Sequence, residues 1–237
     1  MLRPGQRVGW CRTLAISAAL LAYGNVTALL AASPGPGALV PLLSHPLAVL
    51  AALLCARRAA GCTWDELGLG RRGWACGSLW GFGMAAFMAA IVGGLILLFR
   101  AVHWTSSTAY PAPADPSATL LLGGRLLLLT AVCEEVWFRG VLHALWVRQV
   151  GLTRGVVVVA LLFAAWHLTV WGWTLQRVTL QPALPLALTY PAGLLALFIA
   201  GLLFGWLRAA SGHLAGPIVA HWAIDLVLIA LAIGGWL

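Results

Sequence analysis

The sequence predicts an all-α fold, a polytopic transmembrane helical bundle of about seven spans (six to eight) with a cytoplasmic N-terminus. Three observations predict it. Of the 237 residues, 62% are hydrophobic and only 8% charged, with a mean hydropathy of +0.96, whereas soluble domains carry about 25% charged residues. Seven windows reach or approach the ~20 apolar residues that a span requires. The cationic residues, finally, crowd the ends of those windows on one side. All 14 are Arg, against six acids: Asp65, Glu66, Asp115, Glu134, Glu135 and Asp225.

The windows run over 13–32, 38–56, 74–99, 119–147, 155–172, 190–207 and 214–236. Breakers separate them: SPGPG at Ser33–Gly37, a Pro-rich polar stretch from His103 to Ser117, and LQPALP at Leu180–Pro185. Positive residues are retained on the cytoplasmic side. An inside N-terminus puts Arg3, Arg7, Arg12, Arg57, Arg58, Arg71, Arg72, Arg139, Arg148, Arg154 and Arg208 at or toward that face. Only Arg100 and Arg177 then fall outside, with Arg125 inside the fourth span. The net charge of +8 thus reports topology and lipid contact. No segment is polar enough to offer nucleic acid a folded basic face. An all-Arg, Ala- and Leu-rich chain fits a bacterial inner membrane, multi-pass.

The chain divides into three regions: two N-terminal helices over 1–56, a cytoplasmic interfacial loop over 57–73, and a motif-bearing membrane core over 74–237. The first 35 residues share features with a signal peptide, namely early arginines, an apolar run and small residues at Ala31–Ser33. The run from Thr13 to Ala32 exceeds the usual apolar region of such peptides, so a retained helix is expected; cleavage would leave six spans. In the loop, Thr63 with Glu66 three residues on forms a capping-box pattern for a short helix, with Trp64, Leu67 and Leu69 in the interface. Many of the 13 Trp sit near span ends (Trp10, Trp64, Trp74, Trp104, Trp173 and Trp236), as an interfacial belt requires. The five cysteines show no CxxC pair and read as packing residues.

Ionisable residues within spans mark functional sites by default. Glu134 and Glu135, His167, His221 and Asp225 stand out. Glu134 precedes Arg148 by 14 residues and His167 follows Arg154 by 13, so each lies ~20 Å from the short turn joining their helices. Asp225, 12 residues past His213, lies at ~18 Å, with His221 one turn shallower. Glu135 and Arg139, at i and i+4, can pair. Glu134, rotated by about 100°, lacks that partner and suits a general base near neutral pH. Phe163 and His167 share a face, as do His221 and Asp225, the latter spaced for a carboxylate that orients an imidazole. Two imidazoles and a glutamate can activate water for hydrolysis, or bind zinc through Glu134, His167 and His221 with an open position. A network that only tied helices together would return about 1 kcal/mol per contact, against ~2.5–3.5 kcal/mol for each buried charge.

Read as EEVWFRG (Glu134, Glu135, Arg139), FAAWH (Phe163, His167) and HWAID (His221, Asp225), the three motifs in order resemble the CPBP family. This family contains the prenyl-protein (CAAX) endopeptidases and their bacterial relatives, the glutamic-type intramembrane proteases. The WDELGLGRRG loop is similar to the family's amphipathic lead-in. The resemblance implies an intramembrane endopeptidase in which Glu134 is the catalytic glutamate and activates water with His167. It implies that Glu135, Arg139 and Phe163 support the site, and that His221 with the last motif position binds the oxyanion. Eukaryotic members typically place Asn at that last position. Asp225 is an acceptor when ionised, so it is expected to orient His221. No cofactor is expected, with zinc the alternative; the partners are membrane lipids and a peptide or protein substrate, including one with a hydrophobic terminal segment. A proton-coupled transporter would use similar Glu/His chains, but its paired halves are not visible. A non-enzymatic membrane binding protein is the remaining alternative. His143, near the cytoplasmic end, is expected to be partly solvated; His45, His103 and His213 are expected to be structural or exposed, and Arg125 to snorkel outward.

Overall fold

Long apolar runs form helices because backbone polar groups in hydrocarbon must be satisfied within the segment. The computed structural model describes residues 9–32, 40–102, 105–108, 116–176, 178–181 and 185–233. Arg3, Arg7, His103, Trp104, Asp115, Arg177 and Trp236, with the breaker Ser33–Gly37, lie outside them. Each expected window coincides with helix. They are α1 (Trp10–Ala32), α2 (Val40–Leu54, prolonged by a π turn Cys55–Ala59) and α3 (Trp74–Ala101). The composite α4 spans Pro116–Arg125, Leu126–Ala131, Val132–Glu135, Val136–Leu142 and His143–Val150, its second and fourth pieces being π-helical. After it come α5 (Leu152–Trp166), α6 (Leu168–Gln176), α7 (Leu186–Ser211) and α8 (Ala215–Ile233). Five helices among the described residues are long and apolar enough to cross a bilayer, or six if α5 and α6 form one bent span; most of α8 is a shorter apolar helix. The bundle is all-helical apart from one ribbon, in which β1 (Thr105–Thr108) pairs antiparallel with β2 (Val178–Gln181). Their polar, Pro-bounded surroundings suggest only loops in the sequence.

Close helix contacts rest on small residues. On α3, Gly77 and Gly81 face Gly216 of α8; a Cβ at Gly81 would lie 2.5 Å from the Gly216 carbonyl oxygen. Small-residue seams of this kind let membrane helices approach backbone to backbone. Among the tryptophans, Trp10, Trp64 and Trp74 are exposed, but Trp137, Trp146 and Trp166 are core residues. Trp137 lies 5.1 Å from both Trp166 and His45 between ring centres. The belt reading therefore holds for only part of the set. Cys62 and Cys133 are packed, whereas Cys11, Cys55 and Cys76 are exposed.

The loop between α2 and α3 is a hydrogen-bonded turn rather than the short helix expected. Its capping box is present: the Thr63 amide donates to Glu66 Oε2 at 2.6 Å and the Glu66 amide to Thr63 Oγ1 at 3.2 Å. Leu67 is buried within the protein instead of lying in the interface. Three residues on or beside the helices of the motif-bearing core pin this turn. Arg148 donates to both Glu66 carboxylate oxygens at 2.7 Å. Arg208 donates to the Asp65 and Glu66 carbonyls. His213 faces the Gly70 carbonyl through Nε2, while its Nδ1 accepts from the Ala215 amide at the start of α8.

Candidate active site

The Val132–Glu135 piece of α4 is a single α turn between two π stretches, a departure from α geometry that often accompanies functional sites. Glu135 and Arg139 face inward. Arg139 donates to Glu135 Oε1 at 3.1 Å, both side chains being wholly buried, and its other terminal nitrogen donates to the Gly201 carbonyl on α7 at 3.3 Å. The guanidinium carbon lies 4.3 Å from the Phe163 ring centre and 5.1 Å from that of Phe204. Desolvated cation–π contacts of this kind contribute ~2 kcal/mol, so an otherwise costly buried charge has both an anionic and an aromatic partner.

His221 projects from α8 onto the same carboxylate. Its Nδ1 is 2.7 Å from Glu135 Oε1, and because a carboxylate only accepts, Nδ1 carries the proton. The ring stacks on Phe204 with centres 5.3 Å apart. Asp225 Oδ2 stands 3.7 Å from His221 Nε2, beyond hydrogen-bond range. The i, i+4 spacing does place Asp225 beside His221, but Glu135 is the carboxylate that holds the ring. A long-range contact outcompetes the local one.

His167 occupies the break between α5 and α6, which meet at 45°. Its backbone, φ −88° and ψ 2°, falls in the bridge region, sparsely populated in general and frequented by active-site residues. Its Nδ1 is 2.8 Å from the Phe163 carbonyl. A carbonyl cannot donate, so Nδ1 bears the proton and Nε2 is left facing Glu134 Oε2 at 3.7 Å. The Trp166 indole lies beside Glu134 as well. Four residues expected from three separate helices, Glu134, His167, His221 and Asp225, thus line one locus around the Glu135–Arg139 pair and Phe163. His167 and Asp225 keep 15% and 21% of their side-chain surface exposed, so access is from their side.

Residues 116–227, just under half of the chain, match the family model described as Type II CAAX prenyl endopeptidase Rce1-like. The matched segment contains all three motifs. Over this segment the chain is similar to the Rce1-like family. No curated protein and no solved structure matches it. The Rce1-like description is of a CAAX-type peptidase family, and the five or six described helices long and apolar enough to cross a membrane fit an integral membrane protein.

Glu134, His167 and His221 are the residues that would hold zinc in the alternative reading. Among the described residues no three of His, Cys, Asp and Glu gather as a metal-binding group. Of the alternative ligands, His221 presents Nδ1 to Glu135, and Glu134 and His167 face one another. No catalytic step is assigned to a metal.

Other residues sit differently from expectation. His143 is 6% exposed, buried rather than partly solvated, one turn below Arg139 on the same face. His213 is buried as a structural histidine, and Arg125 is exposed. Sequence reasoning gave Trp166 no role, although it sits inside the FAAWH motif, and overlooked Arg148 and Arg208 as clamps. The capping box at Glu66 was a signal that the loop is ordered; its partner on α4 had none.

Proposed function

We propose that the protein is an endopeptidase that hydrolyses a peptide bond of a membrane-associated protein or peptide. In this reading Glu134 and His167 activate water and His221 stabilises the oxyanion. The observation that carries it is the Glu134–His167 pair. A carboxylate and an imidazole nitrogen that both accept hydrogen bonds face each other at 3.7 Å. Two acceptors cannot satisfy one another, but a water donating one proton to each would bridge them. Glu134 then takes a proton as the water oxygen bonds to the carbonyl carbon. When the C–N bond breaks, that proton passes to the leaving amine, so one water is consumed and both new termini are complete.

The developing oxyanion needs a donor fixed before the reaction begins. His221, locked through Nδ1 by Glu135, can offer Nε2–H when the ring carries both protons, a charge neutralised by Glu135 and Asp225 on either side. Asp225 is thereby a charge partner of the ring and not its orienting residue. Substrates with a hydrophobic terminal segment suit a site within an apolar bundle, and the composition supports a bacterial inner membrane with the N-terminus inside.

The test uses detergent-purified full-length protein and two internally quenched peptides, one ending in a farnesylated Cys-Val-Ile-Ser tail and one with an unmodified hydrophobic tail. Cleavage of either by the wild type, abolished in Glu134→Gln with the protein still folded, is the expected result. Undiminished cleavage by Glu134→Gln would sink the assignment.

A further inference from the structure

The kink that presents His167 is bridged by a side chain from a distant helix. In an unbroken helix the Thr169 amide would donate to the Ala165 carbonyl, four residues back. Here Asn25 of α1 stands on both ends of that bond. Its Oδ1 accepts from the Thr169 amide at 3.2 Å and from Thr169 Oγ1 at 2.7 Å, while its Nδ2 donates to the Ala165 carbonyl at 3.2 Å. The same Nδ2 donates to the Leu21 carbonyl at 3.0 Å, which ties the amide to its own helix and fixes which way it points. The residues it bridges flank Trp166 and His167, and His167 Nε2 faces Glu134 Oε2 at 3.7 Å.

The preceding residue contributes on the same face of the kink. Any Cβ at Gly24 would overlap the Trp166 ring; only glycine lets this indole lie flush against α1. Two consecutive α1 residues, Gly24 and Asn25, therefore pack on the stretch that carries His167. Both lie outside the segment that matches the family model, residues 116–227.

We infer that Asn25 is a positioning residue: by replacing the broken backbone bond between Ala165 and Thr169, it holds the α5–α6 kink at the angle that aims His167 Nε2 at Glu134. This inference rests on the catalytic reading of His167 given above. A break within an apolar span would otherwise expose backbone groups to hydrocarbon or close into straight helix. Either change would turn the imidazole off the carboxylate, and sub-ångström aim of this kind governs turnover more than substrate affinity.

The experiment combines turnover of the two quenched peptides with ¹⁵N-histidine spectra of the full-length protein in detergent. For Asn25→Ala, kcat on the folded fraction is expected to fall 10- to 100-fold with KM changed less than about twofold. The His167 signals should move away from the Nδ1–H tautomer while those of His213 stay put. Asn25→Asp, whose protonated carboxyl can both accept and donate, should recover several-fold of the lost rate. If Asn25→Ala does not fold, Thr169→Val removes one bond and keeps the side-chain shape, with a smaller loss of kcat and the same spectral shift expected. Wild-type kcat and an unmoved His167 signal in whichever variant folds would overturn the inference. The spectra are independent of turnover, so failure of the two readings can be told apart: an active Glu134→Gln removes the catalytic assignment, whereas an inert Glu134→Gln beside an unaffected Asn25 variant removes only the kink bridge.

Discussion

Glu135 holds His221: their side chains meet at 2.7 Å between Oε1 and Nδ1, and the same oxygen accepts a hydrogen bond from Arg139 at 3.1 Å. One carboxylate oxygen therefore organises two helices, an arginine and a histidine. Removal of one member of a buried ion pair leaves an uncompensated charge and costs about 3–5 kcal/mol. Glu135→Ala is expected to lose stability on that scale along with its activity. Glu134→Gln, whose parent residue has no such ion pair, should lose activity with far less change in unfolding. Denaturant titrations in detergent for the two variants, side by side, check the asymmetry; equal destabilisation would contradict it.

Gly81 offers a test at a distance from the chemistry. A Cβ there meets the Gly216 carbonyl oxygen at 2.5 Å and Val219 Cβ at 2.9 Å, and backbone cannot move aside cheaply. Gly81→Ala should push α3 away from α8, at roughly the 1–3 kcal/mol typical of overpacking, and shift His221 with it. The expected outcome is a lowered unfolding midpoint and reduced cleavage. Gly83→Ala, with nothing within 4 Å of the new Cβ, is the control and should leave both unchanged.

The loop clamp has a pH signature. Burial opposes ionisation of Glu66, but the Arg148 guanidinium and the Thr63 amide outweigh it and hold the carboxyl below its usual value. A carboxylate depressed in the folded state contributes stability above its unfolded value, ~4.3 for a glutamate side chain, and loses it as pH falls through the folded one. The difference in unfolding midpoint between wild type and Arg148→Gln should therefore be full at pH 6–7 and shrink toward pH 3.5. A difference that stays constant across this range would mean that the salt bridge contributes nothing.

Local spacing made part of this site legible. Glu135–Arg139 and Phe163–His167 are i, i+4 pairs on single helices, and their contacts follow from helical geometry alone. His221–Asp225 shows the limit of the same reasoning: both residues face the site, yet the imidazole turns to Glu135, 86 positions earlier, and no local pattern encodes that choice. The α5–α6 break was invisible because its partner, Asn25, lies 144 positions from Thr169. Nor could composition separate the exposed Trp10 from the buried Trp137, since a tryptophan at a span end and one in the core share the same apolar neighbours in sequence.

The π stretch Val136–Leu142 governs how this chain tolerates length changes. An i→i+5 turn accommodates one residue more than an α-helical path would, so the two flanking helical segments differ in relative phase by about 100° from those of an unbroken α-helix of the same length. Glu134 and Glu135 lie on one side of that offset; Arg148, with its grip on Glu66, lies on the other. Adding a further residue here as α-helix would keep Glu134, Glu135, the histidines and Arg148 itself in the sequence, yet rotate the clamp off its loop, whereas removing the residue that the π turn absorbs would leave both segments in phase. Sequence length in this stretch is thus as much a functional parameter as residue identity.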